Sequence, residues 1–154
     1  MKNKKVSLEK QKKWREEYLD KELGDDFQII RPRMPCKKNA YYEEWKIYFE
    51  RFIPLLRDNI IFVGYSLGGI FLAKYLSENK FPRTISALNL VAAPFDGSID
   101  EEELCNGFKL KDDLSLIEEN CRSINLFFSE DDEIVSVSHA QKYEEKLPKA
   151  EIFI

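Results

Sequence analysis

From Ile60 onward, the chain alternates short apolar runs with stretches of helical spacing, and this alternation restricts it to a small set of folds. The apolar runs, which we predict to be strands, cover residues 60–63, 85–91, 124–128 and 150–154. Stretches of helical spacing separate them, at residues 67–79, 112–119 and 139–147. Continuous apolar runs are typical of strands buried on both faces, and helices between such strands connect parallel neighbours. The pattern therefore predicts the α/β class, with a doubly wound, mostly parallel sheet and helices on both faces.

The residues before Ile60 add two predicted helices and one predicted strand. Helical spacing covers residues 7–23 and 41–56, and Gly24 provides a stop for the first helix. Residues 27–30 are predicted to be a strand, because a mainly apolar run precedes a loop whose prolines prevent continuation. The sequence shows no repeat, low-complexity tract or linker, which predicts a single domain over residues 1–154.

Charge and cysteine content narrow the classes of partner and compartment. The chain has 24 Lys and Arg against 28 Asp and Glu, a net charge of −4 with its single histidine neutral. This mild acidity argues against nucleic acid or an anionic membrane as the main partner. No apolar run approaches the ~18 residues of a membrane span, and no apolar segment of signal-peptide type follows the basic start. The three cysteines are widely spaced, which favours reduced thiols and a cytoplasmic protein.

The segment Gly64-Tyr-Ser-Leu-Gly-Gly69 joins a predicted strand to a predicted helix, as a G-x-S-x-G nucleophile elbow does. So tight a turn needs flanking residues almost without side chains, which we assign to Gly64 and Gly68, and it holds Ser66 in a strained conformation. The backbone N–H of Leu67, at the helix start, is a candidate oxyanion donor. The alternative is a glycine-rich turn that binds phosphate, which the lack of a G-x-x-x-x-G-K-[ST] motif disfavours.

A nucleophilic serine needs a base and an acid that orients the base, and in this fold they follow the serine in the order acid, then histidine. Asp132, just past the predicted strand at residues 124–128, is the best candidate acid, and Asp131 is the second. The alternative for this segment is an acidic surface turn or a weak cation site. His139 is the only histidine and so the only candidate base of the usual type in the chain.

Four segments resemble the small YdeN-like group of α/β-hydrolases, relatives of retinoblastoma-binding protein nine. They are residues 31–35 (RPRMP), 42–45 (YEEW), 64–69 (GYSLGG) and 129–135 (SEDDEIV), and residues 91–94 (VAAP) also match. The resemblance implies a serine hydrolase on a doubly wound α/β sheet, acting on small esters or amides without a cofactor or metal.

Two departures from that group bear on activity. The resemblance implies an earlier strand ending in His-Gly, which supplies a second oxyanion donor, and a catalytic histidine after the last strand. Neither motif is in the sequence, so we expect a chain truncated at both ends. In relatives, the position of His139 is a helix-start residue distinct from the base. Without the central strand, the strands at 27–30 and 60–63 either pair directly or leave unpaired edges.

These observations predict a serine hydrolase that attacks a small carboxylic ester or amide through a Ser66 acyl-enzyme. We expect this polypeptide to be weakly active or inactive. One alternative is a non-catalytic binding module on a hydrolase fold, and another is a rearranged triad with His139 as base; acyl transfer would use the same residues. Phe95 is the best candidate for substrate binding, because it follows the carboxyl end of a strand, where ligands bind in open α/β sheets. Trp45 and Phe108 fit a pocket or the core equally, and Asp96 is interpreted as solvated surface.

Overall fold

The computed structural model describes residues 14–36, 38–97 and 106–154. Contacts divide the chain into two compact units, residues 1–33 and 34–154. The second unit contains the sheet and all the predicted site residues.

The first unit contains one described helix, α1 (Trp14–Leu23), followed by a 3₁₀ turn at Gly24–Asp26. Gly24 has a φ of 55°, a left-handed conformation that glycine adopts readily and that ends the α-helix. The predicted helix end is therefore confirmed. Residues 7–13 of the predicted helix lie outside the described residues.

Residues 27–30 do not form the predicted strand. They have no β-ladder in the structure, and the strands of the sheet begin at Ile60. So short a strand forms only when its backbone groups pair with a neighbour, and an apolar run by itself specifies no partner. The strand prediction at residues 27–30 is wrong for this reason.

The second unit is built on a four-stranded parallel sheet in the order β1-β2-β3-β4. Its strands are β1 (Ile60–Tyr65), β2 (Ile85–Val91), β3 (Ile124–Phe127) and β4 (Glu151–Phe153). Tyr65 lies opposite Val91, and Val91 lies opposite Phe127, so three strands end at the same level. The parallel sheet and the α/β class predicted from the alternating pattern are confirmed.

Four helices accompany these strands. They are α2 (Tyr42–Glu50), α3 (Leu67–Glu78), α4 (Ser115–Asn120) and α5 (Ser138–Lys146). Each of the last three connects a strand to the next one in the sheet. The helix predicted to reach residue 56 ends at Glu50, and a 3₁₀ turn follows at Ile53–Leu55. Pro54 accounts for this, because proline has no N–H to donate within an α-helix and its ring clashes with the preceding turn.

The two faces of the sheet differ in burial. Leu88, Leu90 and Leu126 are fully buried, as expected beneath the crossover helices. On β1, the alternate residues Ile61, Val63 and Tyr65 are about half exposed, and they point to the opposite face because side chains alternate along a strand.

β1 forms one edge of the described sheet. Among the described strands it pairs with β2 alone.

Aromatic side chains fill the core beneath α2 and α3. Trp45 and Phe108 are both buried, and their rings meet edge to face at 5.3 Å. The Trp45 indole N–H donates to the Pro35 carbonyl at 2.8 Å. Both residues are core residues rather than the walls of a pocket.

Among the described helices, none combines the length and the hydropathy that a membrane crossing requires.

Candidate active site

Ser66 occupies the turn between β1 and α3 in a strained conformation. Its φ of 51° and ψ of −120° are rare for a residue with a side chain, as predicted for a nucleophile elbow. Its N–H donates to the Val91 carbonyl at 2.9 Å, and its carbonyl accepts the Gly69 and Ile70 N–H groups at 2.8 and 3.2 Å. Bonds to β2 on one side and α3 on the other therefore fix the backbone of the serine.

The glycines of the elbow have unequal roles. A Cβ on Gly64 would lie 2.7 Å from the Gly69 Cα, and a Cβ on Gly69 would lie 2.5 Å from the Ala93 Cβ. A Cβ on Gly68 would meet no atom within 4 Å. The sequence prediction that Gly64 and Gly68 are the sterically required pair is thus wrong for Gly68. The packing requires Gly64 and Gly69, because β1, α3 and the segment after β2 meet there.

Leu67 is the first residue of α3 and is half-buried, as is Ser66. The first N–H groups of an α-helix have no acceptor within the helix, and the helix dipole adds partial positive charge there. The Leu67 N–H is therefore suited to stabilise negative charge beside Ser66. Its role as oxyanion donor stays a prediction.

Asp132 lies in the loop after β3, where the backbone fixes its carboxylate. Its Oδ1 accepts the N–H groups of Ile134 and Val135, both at 2.9 Å. Because both bonds go to Oδ1, Oδ2 is the oxygen suited to accept an imidazole N–H. Asp131 is exposed and accepts the Ser129 hydroxyl instead. The geometry favours Asp132 over Asp131 as the acid.

The serine and the acid follow strands that end at the same edge of the sheet. Ser66 directly follows β1 and Asp132 follows β3, with β2 between them. Since neighbouring strands lie ~4.8 Å apart, the ends of β1 and β3 are separated by roughly 10 Å. A side chain between nucleophile and acid would lie above the end of β2.

The His139 side chain forms its hydrogen bond with the backbone of Phe95. It is buried at the start of α5, and its Nδ1 accepts the Phe95 N–H at 2.9 Å. Burial lowers the pKa of His139, the Lys142 ammonium lowers it further, and Asp96 opposes this by raising it. In a neutral imidazole whose Nδ1 accepts, the proton is on Nε2, which can then only donate. In this arrangement His139 has no acceptor nitrogen for the Ser66 proton.

Side chains of α5 contact both Phe95 and Asp96. The Phe95 ring meets the Tyr143 ring edge to face at 5.0 Å, and Lys142 Nζ forms an ion pair with an Asp96 oxygen at 2.7 Å. Asp96 lies at the surface, as interpreted, with 42% of its side chain exposed, but it also binds a cation on the neighbouring helix. Lys142 and Tyr143 were missed in the sequence. The sequence indicates them only by their spacing, three and four residues after His139, which places His139, Lys142 and Tyr143 on one face of the helix.

The described residues offer no centre for a metal ion. Within residues 14–36, 38–97 and 106–154, no three or more His, Cys, Asp or Glu side chains form a group that could hold one.

A parallel α/β sheet with a strained serine between β1 and α3, and a backbone-fixed aspartate after β3, is the arrangement of an α/β-hydrolase. The chain belongs to the serine hydrolase family, whose sequence model, described as "Serine hydrolase", matches residues 9–152. Hydrolysis is therefore the class of chemistry to which the fold and family assign it. A search of curated proteins found no match.

Two solved structures are similar in fold. The ydeN gene product from B. subtilis superposes with a TM-score of 0.75 at 21% identity, over 90% of this chain and 75% of that one. The esterase domain from a Rhodothermus marinus protein superposes with a TM-score of 0.54 at 18% identity, over 78% of this chain and 58% of that one. Both comparisons support the fold, and the first supports the resemblance to the YdeN-like group.

Proposed function

We propose that the chain is a serine hydrolase in which Ser66 forms an acyl-enzyme with a small carboxylic ester or amide. The observation that carries this proposal is the backbone of Ser66, at a φ of 51° between β1 and α3. Such strain persists only where surrounding structure imposes it, and it is typical of serines whose hydroxyl must project towards a substrate.

In the proposed reaction, Ser66 Oγ attacks the carbonyl carbon and its proton passes to a base. The tetrahedral oxyanion accepts the Leu67 N–H, and its collapse breaks the bond to the alcohol or amine, which takes up the proton. Water then attacks the acyl-enzyme, which releases the acid and restores the Ser66 hydroxyl. In this proposal Asp132 orients an imidazole through Oδ2, because Oδ1 already accepts two backbone N–H groups.

The slow step for this polypeptide is the proton transfer from Ser66. Its single histidine is His139, whose Nδ1 is occupied by the Phe95 N–H. Loss of a triad base costs roughly 10⁴-fold or more in rate, so we propose acylation much slower than in a complete triad.

The acyl-enzyme can be tested by mass. The chain is incubated with p-nitrophenyl butyrate, and intact mass with peptide mapping follows the acyl group over time, in wild type and Ser66→Ala. We expect one acyl group to accumulate slowly on Ser66, with turnover near background, and none in Ser66→Ala. Fast saturable hydrolysis that persists in Ser66→Ala, or acylation only at other residues, would contradict the proposal.

A non-catalytic binding module is the second candidate, and the occupied Nδ1 of His139 is the observation that favours it. The same experiment separates the two functions. A folded wild-type chain that never acquires an acyl group on Ser66 would favour the binding module.

A further inference from the structure

One face of α5 holds the loop that follows β2, residues 92–96. His139 Nδ1 accepts the Phe95 N–H at 2.9 Å, and the Tyr143 hydroxyl donates to the Pro94 carbonyl at 3.0 Å. Lys142 Nζ contacts an Asp96 oxygen at 2.7 Å. Three consecutive residues of the loop are thus each bonded to α5.

The same loop packs against the nucleophile elbow. The Ala93 Cβ lies so close to Gly69 that a Cβ there would be only 2.5 Å away, and Gly69 in turn donates its N–H to the Ser66 carbonyl. Ala93 therefore contacts the residue that helps to fix the Ser66 backbone.

The loop is also strained at its first residue. Ala92 has a φ of 45°, a left-handed conformation that is unfavourable for alanine, and its N–H donates to the Phe127 carbonyl at 2.8 Å. A strained segment keeps its conformation only where its neighbours enforce it. The neighbours of this segment are β3, Gly69 of the elbow and, through residues 94–96, the helix α5.

We propose that His139 is a positioning residue of the Ser66 site: through the Phe95 N–H it holds residues 92–96 against the elbow, and it does so only while its imidazole is neutral. The proposal rests on the proposed function, because it assigns regulation by pH to that same site. Protonation of Nδ1 would turn the acceptor into a donor that faces the Phe95 N–H, and the hydrogen bond would be lost.

The surroundings of His139 keep it neutral near pH 7. Burial lowers its pKa below the ordinary 6.5, Lys142 lowers it further, and Asp96 raises it. Tyr143, the third titratable group of the cluster, has a raised pKa because it is buried and so stays a neutral phenol. Since the folded state resists protonation more than the unfolded one, the stability from this contact is complete above pH 6.5. It is lost as the pH falls through the folded-state pKa.

NMR can observe the contact without relying on catalysis. His139 is the only histidine, so the imidazole ¹⁵N resonances need no assignment. They should show the tautomer with the proton on Nε2 at pH 7.5. Amide protection factors of Phe95 and Gly69 between pH 7.5 and 5 then report the loop and the elbow. We expect both factors to fall together, by roughly fivefold to tenfold, as the imidazole becomes protonated.

Two variants distinguish the effect of the hydrogen-bond acceptor from the effect of imidazole titration. His139→Asn puts Oδ1 where Nδ1 was and does not titrate, so both amides should stay protected at every pH. His139→Leu keeps the volume but removes the acceptor, so both should lose protection at every pH. If His139→Leu does not fold, the wild-type titration against His139→Asn gives the same comparison. Slow acylation of Ser66 should follow the same order, with His139→Asn close to wild type.

Two results would overturn the proposal. If protection is lost at Phe95 but unchanged at Gly69, His139 stabilises only its own loop. If His139→Asn keeps both amides protected yet abolishes acylation of Ser66, His139 is the base. Absence of acylation in every variant would contradict the proposed function alone, because the amide measurements do not depend on it.

Discussion

The elbow around Ser66 and the loop around Asp132 contribute to the same candidate site but are built differently. The elbow depends on segments far apart in sequence. A Cβ on Gly64 would clash with Gly69, and a Cβ on Gly69 would clash with Ala93 in the segment after β2. The Asp132 carboxylate is bonded by the next residues of its own loop, Ile134 and Val135. The geometry of Ser66 therefore depends on tertiary contacts, whereas that of the Asp132 carboxylate is local. Substitutions at the elbow should therefore lower the free energy of unfolding more than substitutions in the loop after β3 that contains Asp132, the acid loop.

The largest effect is expected from Gly64→Ala. The new Cβ would lie 2.7 to 2.9 Å from backbone atoms of Gly68 and Gly69, which cannot move without unfolding the start of α3. We expect a loss of about 3 kcal/mol or more in the free energy of unfolding, measured by urea denaturation. Gly68→Ala is the matched control, because its Cβ would meet nothing within 4 Å. A Gly68→Ala variant as unstable as Gly64→Ala would contradict this account of the elbow.

A smaller loss, roughly 2 kcal/mol, is expected from Gly69→Ala, because only one atom, the Ala93 Cβ at 2.5 Å, would lie within 3.0 Å of the new Cβ, against three atoms for Gly64. The double variant Gly69→Ala/Ala93→Gly removes that clash and should recover part of the loss. The comparison of the single and double variants by urea denaturation gives the coupling energy between the two segments. Simple additivity of the two substitutions would show that the loop and the elbow do not contact as described.

In the acid loop, Asp132→Ala should cost about 1 to 2 kcal/mol, because it removes the acceptor of two backbone N–H groups. Asp132→Asn keeps an oxygen acceptor and should cost much less, while it removes the charge that orients a base. Thermal unfolding of both variants checks this order. Asp131→Ala is the control and should be nearly neutral, since Asp131 is exposed. Equal losses in Asp131→Ala and Asp132→Ala would remove the structural reason for preferring Asp132.

The smallest expected effect is the pH dependence that His139 contributes. Because burial and Lys142 hold its pKa below 6.5, wild-type stability should decline as the pH is lowered from 6.5. His139→Asn should lack this part of the decline. Urea midpoints of both proteins at pH 7.5, 6.5 and 5.5 test it, and parallel pH profiles would contradict it.

The sequence predicted the regular part of the molecule well because strand and helix patterns are local. All four strands of the sheet, the elbow and the order of elements follow from apolar runs and their spacing. The strand at residues 27–30 was predicted wrongly because pairing depends on a neighbour that the run does not specify. Gly69 was missed because its constraint comes from Ala93 on another segment. The hydrogen bond between His139 and Phe95 joins residues with no recognisable pattern between them.

The central proposal is that Ser66 is the nucleophile and that its reaction is slow for lack of a base. The most direct test is labelling with a fluorophosphonate probe, followed by intact mass, in wild type and Ser66→Ala, with and without added imidazole as a base. We expect slow formation of a single adduct, faster with imidazole, and none in Ser66→Ala. A folded wild-type protein that stays unlabelled at Ser66 under both conditions would contradict the proposal.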